Sequence, residues 1–203
     1  MNIIKTVTYS AIVGSLGLMT ACSPSTGSAP TAEETTTEDA PAESPELSTI
    51  KNQYVLQAGL FDNVTLDVSD EEAAQRINDS TNSLAWIAGH TLDIQYNLAA
   101  LLGITTENPY AEQFAFGQPF EPEATYPSLS TMRSDWDALT PQITQALDQL
   151  TEEQLAAEPP FPIPFPVQSV RGLLGFQMHH LGYQIGQMAL YRRFLGQPAM
   201  SYR

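Results

Sequence analysis

Apolar residues recur at intervals of three and four in four stretches of the chain, the spacing that gathers side chains on one face of an α-helix. Ile50, Tyr54, Ala58 and Phe61 mark a helix over about 48–61. Leu84, Ile87, Thr91, Ile94, Leu98 and Leu101 mark a second over 82–102, with Gly103 as its stop. Leu129, Met132, Trp136, Leu139, Ile143, Ala146 and Leu150 mark a third over 128–150. Pro141 falls inside it, and Thr140 and Pro141 read equally as the start of a new helix or as a kink in a continuous one. The fourth runs from Ser169 to Gly196, with Leu174, Met178, Leu181, Ile185 and Met188 facing a core. Its last turn carries Arg192 and Arg193, where the helix dipole favours positive charge. No stretch sustains a strand alternation, so the predicted fold class is all-α, a four-helix bundle.

The connections are less regular. An acidic turn, VSDEEAAQR, follows the first helix. Residues 104–127 form a long aromatic connection with Tyr110, Phe114, Phe116, Phe120 and Tyr126, and 158–168 read EPPFPIPFPVQ, too rich in proline for a helix or a central strand. Such aromatics more often pack over the exposed end of a core than line a ligand pocket.

Polar residues also repeat. On the fourth helix Gln177, His180, Gln184 and Gln187 share one face beside the apolar stripe, and on the second Trp86, His90, Asp93 and Asn97 do the same. Buried amides and imidazoles need partners, since each one left unsatisfied costs ~1 to 3 kcal/mol. If the two helices pack side by side, His90 meets His180 and Gln184 in the bundle interior. His179 points about 100° away from His180 and reads as a surface histidine.

Composition narrows the function classes. The formal net charge is −15, and over 48–203 the acids outnumber the bases 17 to 7 with no basic cluster larger than Arg192 and Arg193. Binding to nucleic acid is disfavoured, because neutralising phosphates needs a basic face. Residues 1–21 read as an export signal, with Lys5, an apolar run from Val7 to Leu18 and small residues before Cys22. LMTAC resembles the lipobox of bacterial lipoproteins, which makes Cys22 the lipidated residue and a membrane the partner of the acyl chains. By the same resemblance Ser23, in place of Asp, favours the outer membrane facing the periplasm; the alternative is a plain secreted protein. Cys22 is the sole cysteine, which leaves the predicted domain without a disulfide or a thiolate metal site. From 22 to 47 the chain is acidic and made largely of Pro, Ala, Ser and Thr, a disordered tether that lifts the predicted domain, 48–203, off the membrane.

NSLAWIAGHTLDIQYNLAALLG followed by HHLGYQIGQMALYRRFLG is similar to the DinB-like metal-binding four-helix bundles. In that family the second helix carries Trp and then His four residues on, and the last carries His-x-x-x-His-x-Gly-Gln. Aligned on Gly186 and Gln187, the resemblance places a metal triad on His90, His180 and Gln184, with Asp93 as an auxiliary carboxylate. Gln184 departs from the family, whose residue there is His. Two imidazoles and an amide imply weaker binding of Zn²⁺, Ni²⁺ or Fe²⁺ than three imidazoles. The alternative is a metal-free hydrogen-bonded seam that includes Gln177, Gln187 and Asn97.

Three functions follow. The resemblance implies a metal-dependent transferase or hydrolase-like enzyme acting on a small molecule or a thiol, with its catalytic residues unassigned. A non-catalytic envelope module for a small ligand or protein is the second, and a structural role for the seam is the third. A homodimer is compatible with each.

Overall fold

The structure is a computed structural model that describes residues 44–161 and 166–202. The export signal, Cys22 and nearly all of the tether lie outside the described residues, as does the core of the proline-rich connection at 162–165. No strand occurs among the described residues, and none of their helices is long and apolar enough to cross a membrane.

Among the described residues seven helices follow one another: α1 (Pro45–Thr65), α2 (Asp70–Ala74), α3 (Leu84–Leu101), α4 (Ala111–Phe114), α5 (Leu129–Asp148), α6 (Glu152–Ala156) and α7 (Val170–Phe194). The four long ones form the bundle. α1 lies against α5 and α7, and α3 against the same two, so α1 and α3 occupy opposite corners. The side-by-side packing of α3 and α7 that the two polar stripes require is present.

Every helix but α4 begins where a hydroxyl caps it. Ser44, Ser69, Ser83, Ser128, Thr151 and Ser169 all accept a backbone N–H from the first turn. α1 therefore starts at Pro45, three residues before the predicted Ser48, and its Leu47 is already buried. The acidic turn contains α2, whose Ser69 and Glu72 exchange capping-box hydrogen bonds. Gly103 and Gly196 end α3 and α7, both at φ of +80°. Ile104 N–H reaches Ala99 O at 2.9 Å and Gln197 N–H reaches Arg192 O at 3.0 Å, so both ends close as Schellman turns.

Pro141 lies within a continuous α5. The carbonyl it cannot serve belongs to Asp137 on the exposed side, which is open to solvent. On the inner side Trp136 stacks on Phe61 with centroids 4.1 Å apart, and its Nε1–H donates to Ala58 O. Arg192, expected only to face the helix dipole, is buried and donates to Pro198 O and Leu66 O, tying the C-terminal segment to the end of α1.

A groove of about 560 Å³ opens between α1 and α5 beside Asp62 and Asp137. Burial first, then the charge and hydrogen bond of Asp137, push the Asp62 carboxyl up to about 6 against the opposing Arg133. The folded chain holds this proton more tightly than the unfolded chain. The contribution of Asp62 to stability therefore falls as pH rises from about 4 through 6. Asp62→Asn is expected to be more stable than wild type at pH 7.5 by ~1 kcal/mol, a figure discounted for solvent screening. Urea denaturation should show that gain vanishing near pH 4.

Candidate metal centre

His90 sits in the middle of α3, a helix buried on nearly all sides, and Trp86 stacks on its imidazole with centroids 5.1 Å apart. Its Nδ1 lies 2.7 Å from the carbonyl oxygen of Phe114. A carbonyl can only accept, so Nδ1 carries the proton and the Nε2 lone pair is left free. Phe114 ends α4, and its buried ring lies directly over Gly89. The aromatic connection thus covers the core and also sets the histidine tautomer. Tyr110 is buried with Phe114, Phe120 and Tyr126 are half-buried against the core, and Phe116 is exposed.

His180 approaches from α7, with its ring 5.7 Å from that of His90 in an edge-on arrangement. Phe176 and the exposed Tyr183 flank it on its own helix. Burial first, then the neighbouring His90 and His179 imidazoles, hold the His180 pKa below its ordinary value. Its neutral form is the one able to accept a hydrogen bond or bind a metal. The exposed His179 takes no part in the hydrogen-bonded chain of the seam.

Gln184 is 5% exposed and completes the cluster. Its Nε2 donates to His180 Nε2 at 2.9 Å, and its Oε1 accepts from Gln187 Nε2 at 2.8 Å. Gln177, half-buried at the start of the stripe, lies outside this chain of hydrogen bonds among the described residues. On α3 the stripe divides. Asp93 accepts from Asn97 at 3.1 Å and from Asn108 at 2.8 Å, so both its oxygens are engaged on the side of the aromatic connection. Burial raises the Asp93 pKa, while the hydrogen bond from Asn108, the charge of His90 and the hydrogen bond from Asn97 oppose the shift.

Three further residues shape the site. Gly89 gives Phe114 its place, Phe114 orients His90 through its backbone, and Asn108 engages Asp93. A glycine inside a helical pattern signals a close approach of this kind, but the identity of the approaching group depends on a chain reversal 25 residues later.

The sequence model of the DinB superfamily matches residues 53–188, a span that includes all of α3 and α5, most of α1 and α7, and both histidine motifs. The chain belongs to the DinB superfamily. A solved structure of a conserved protein from Enterococcus faecalis shares the fold at a TM-score of 0.54 and 17% identity, covering 76% of this chain and 98% of that one. No curated protein matches the sequence.

The donors of this DinB-superfamily bundle can be set against what a divalent metal needs. Among the described residues no group of three His, Cys, Asp or Glu could hold one. The set on offer is two imidazoles and one amide, with His180 Nε2 engaged by Gln184. This set fits borderline transition metals and favours weak binding. Trp86 Nε1–H, a hydrogen-bond donor and not a metal ligand, is buried with no acceptor among the described residues.

Proposed function

We propose that His90, His180 and Gln184 form a weak site for a divalent transition ion, Zn²⁺, Ni²⁺ or Fe²⁺, in an exported protein lipid-anchored through Cys22. The observation that carries this reading is the hydrogen bond from His90 Nδ1 to the Phe114 carbonyl. It holds the ring in the tautomer a ligand requires and leaves Nε2 free beside His180.

A bound ion would supply Lewis acidity toward an oxygen or sulfur of a small substrate. The chain itself contributes orientation: Phe114 fixes His90, and Trp86 Nε1–H is available to an acceptor atom of the ligand, since that donor is buried without a partner among the described residues. Phe176 and Tyr183 give His180 an aromatic border. This supports a metal-dependent transferase or hydrolase-like activity, with the reacting groups on the substrate and the ion.

The Gln184 hydrogen bond on His180 Nε2 favours a second reading, in which the closed seam fixes helix register in a non-catalytic binding module. Calorimetric titration of the full chain separates the two. Saturable binding of one of the three ions, weakened in both His90→Ala and His180→Ala, is expected; identical behaviour of the variants and wild type would leave only the second reading.

A further inference from the structure

We infer that Gln187 is a positioning residue that decides which end of the Gln184 amide faces His180. Insofar as it concerns metal, the inference rests on the proposed site.

A primary amide is a donor at one end and an acceptor at the other, so its two ends cannot be assigned independently. Gln187 Nε2 donates to Gln184 Oε1, and that contact turns Gln184 Nε2 toward His180 Nε2. The three side chains stand at spacings of four and three on α7, which keeps them in line along one face. Gln184 is buried, so water is not freely available to replace either contact. Gln187 is half-buried and lies at the rim of a cleft of about 220 Å³ lined also by Ser80, Thr81 and Asn82. The sense of the relay is therefore set at its outer end. With Gln187 donating, the seam presents an N–H to the His180 lone pair, which a cation must displace. If residue 187 could only accept, Gln184 would have to turn its Nε2 outward and its Oε1 toward His180. His180 would then carry its proton on Nε2 in the metal-free chain, or yield that nitrogen to a cation.

Gln187→Glu makes that exchange, because an ionised carboxylate accepts and does not donate. The control is Gly186→Glu, which adds the same charge one residue away at an exposed position where a side chain meets open space. The readouts are the tautomer of His180, from ¹⁵N NMR of the metal-free full chain, and Zn²⁺ affinity by competition titration. Wild type and Gly186→Glu should hold the proton on His180 Nδ1, and Gln187→Glu should move it to Nε2. Zn²⁺ should bind Gln187→Glu at least tenfold more tightly than Gly186→Glu. An unchanged tautomer in Gln187→Glu, or an Nε2 proton already present in wild type, would overturn the inference. A moved proton with no gain in affinity over Gly186→Glu would support the relay and overturn the metal reading instead.

Discussion

Gln184→His is expected to bind Zn²⁺ at least tenfold more tightly than the wild-type chain, a difference of ~1.4 kcal/mol. The substitution replaces a neutral amide, whose nitrogen faces His180, with an imidazole able to offer a lone pair from the same buried position. Wild type must first break the Gln184 contact on His180 before that nitrogen is free, and the variant has no amide to displace. Competition with a chromophoric chelator measures the gain directly. The gain should be lost when His90→Ala is added, since both rings are required. Equal affinities for wild type and Gln184→His would mean that the three side chains do not converge on one ion.

The second large effect is expected at Gly89. A Cβ there would lie 2.4 Å from the Phe114 ring, and that ring is fully buried among Trp86, Tyr110 and Tyr126. It has nowhere to swing, so α4 must move outward. Overpacking of this kind costs ~1 to 3 kcal/mol. The better helix propensity of alanine returns about 1 kcal/mol, leaving Gly89→Ala destabilised by up to ~2 kcal/mol in urea denaturation. Because α4 also carries the carbonyl that holds His90 Nδ1, the same variant should lose its single His90 tautomer in ¹⁵N NMR. Gly186→Ala is the internal contrast: its added methyl meets open space, and it should be neutral or stabilised. If the two variants behaved alike, Phe114 would not be seated against Gly89 as described.

The long helices and their apolar faces were legible because period and capping agree. Gly103 and Gly196 stop the helices at which they were expected, and every apolar residue named for the second helix faces the core or its edge. The first helix begins earlier than its apolar period suggests, and Ser44 and Pro45 stand in a segment whose composition resembles a tether. A cap and a proline at the first turn outweigh that composition once Leu47 has a core to enter. Pro141 was undecidable from sequence, since its cost depends on whether the orphaned carbonyl faces water. The meeting of His90, His180 and Gln184 was legible from two polar stripes of matching pitch. The departure of Asp93 and Asn97 toward Asn108 was not, because that partner lies in a connection without period. The direction of the Gln184 amide also belongs to tertiary structure: spacing places the side chain on the face, and only its neighbours choose which end points inward.

Elemental analysis of untagged protein after exposure to Zn²⁺, Ni²⁺ and Fe²⁺, followed by dialysis, tests the central claim most directly. The account predicts substoichiometric to one bound ion per wild-type chain, close to one in Gln184→His, and none in His180→Ala with its helical content intact. Metal-free protein in all three cases, with thermal stability unchanged by any of the ions, would contradict it.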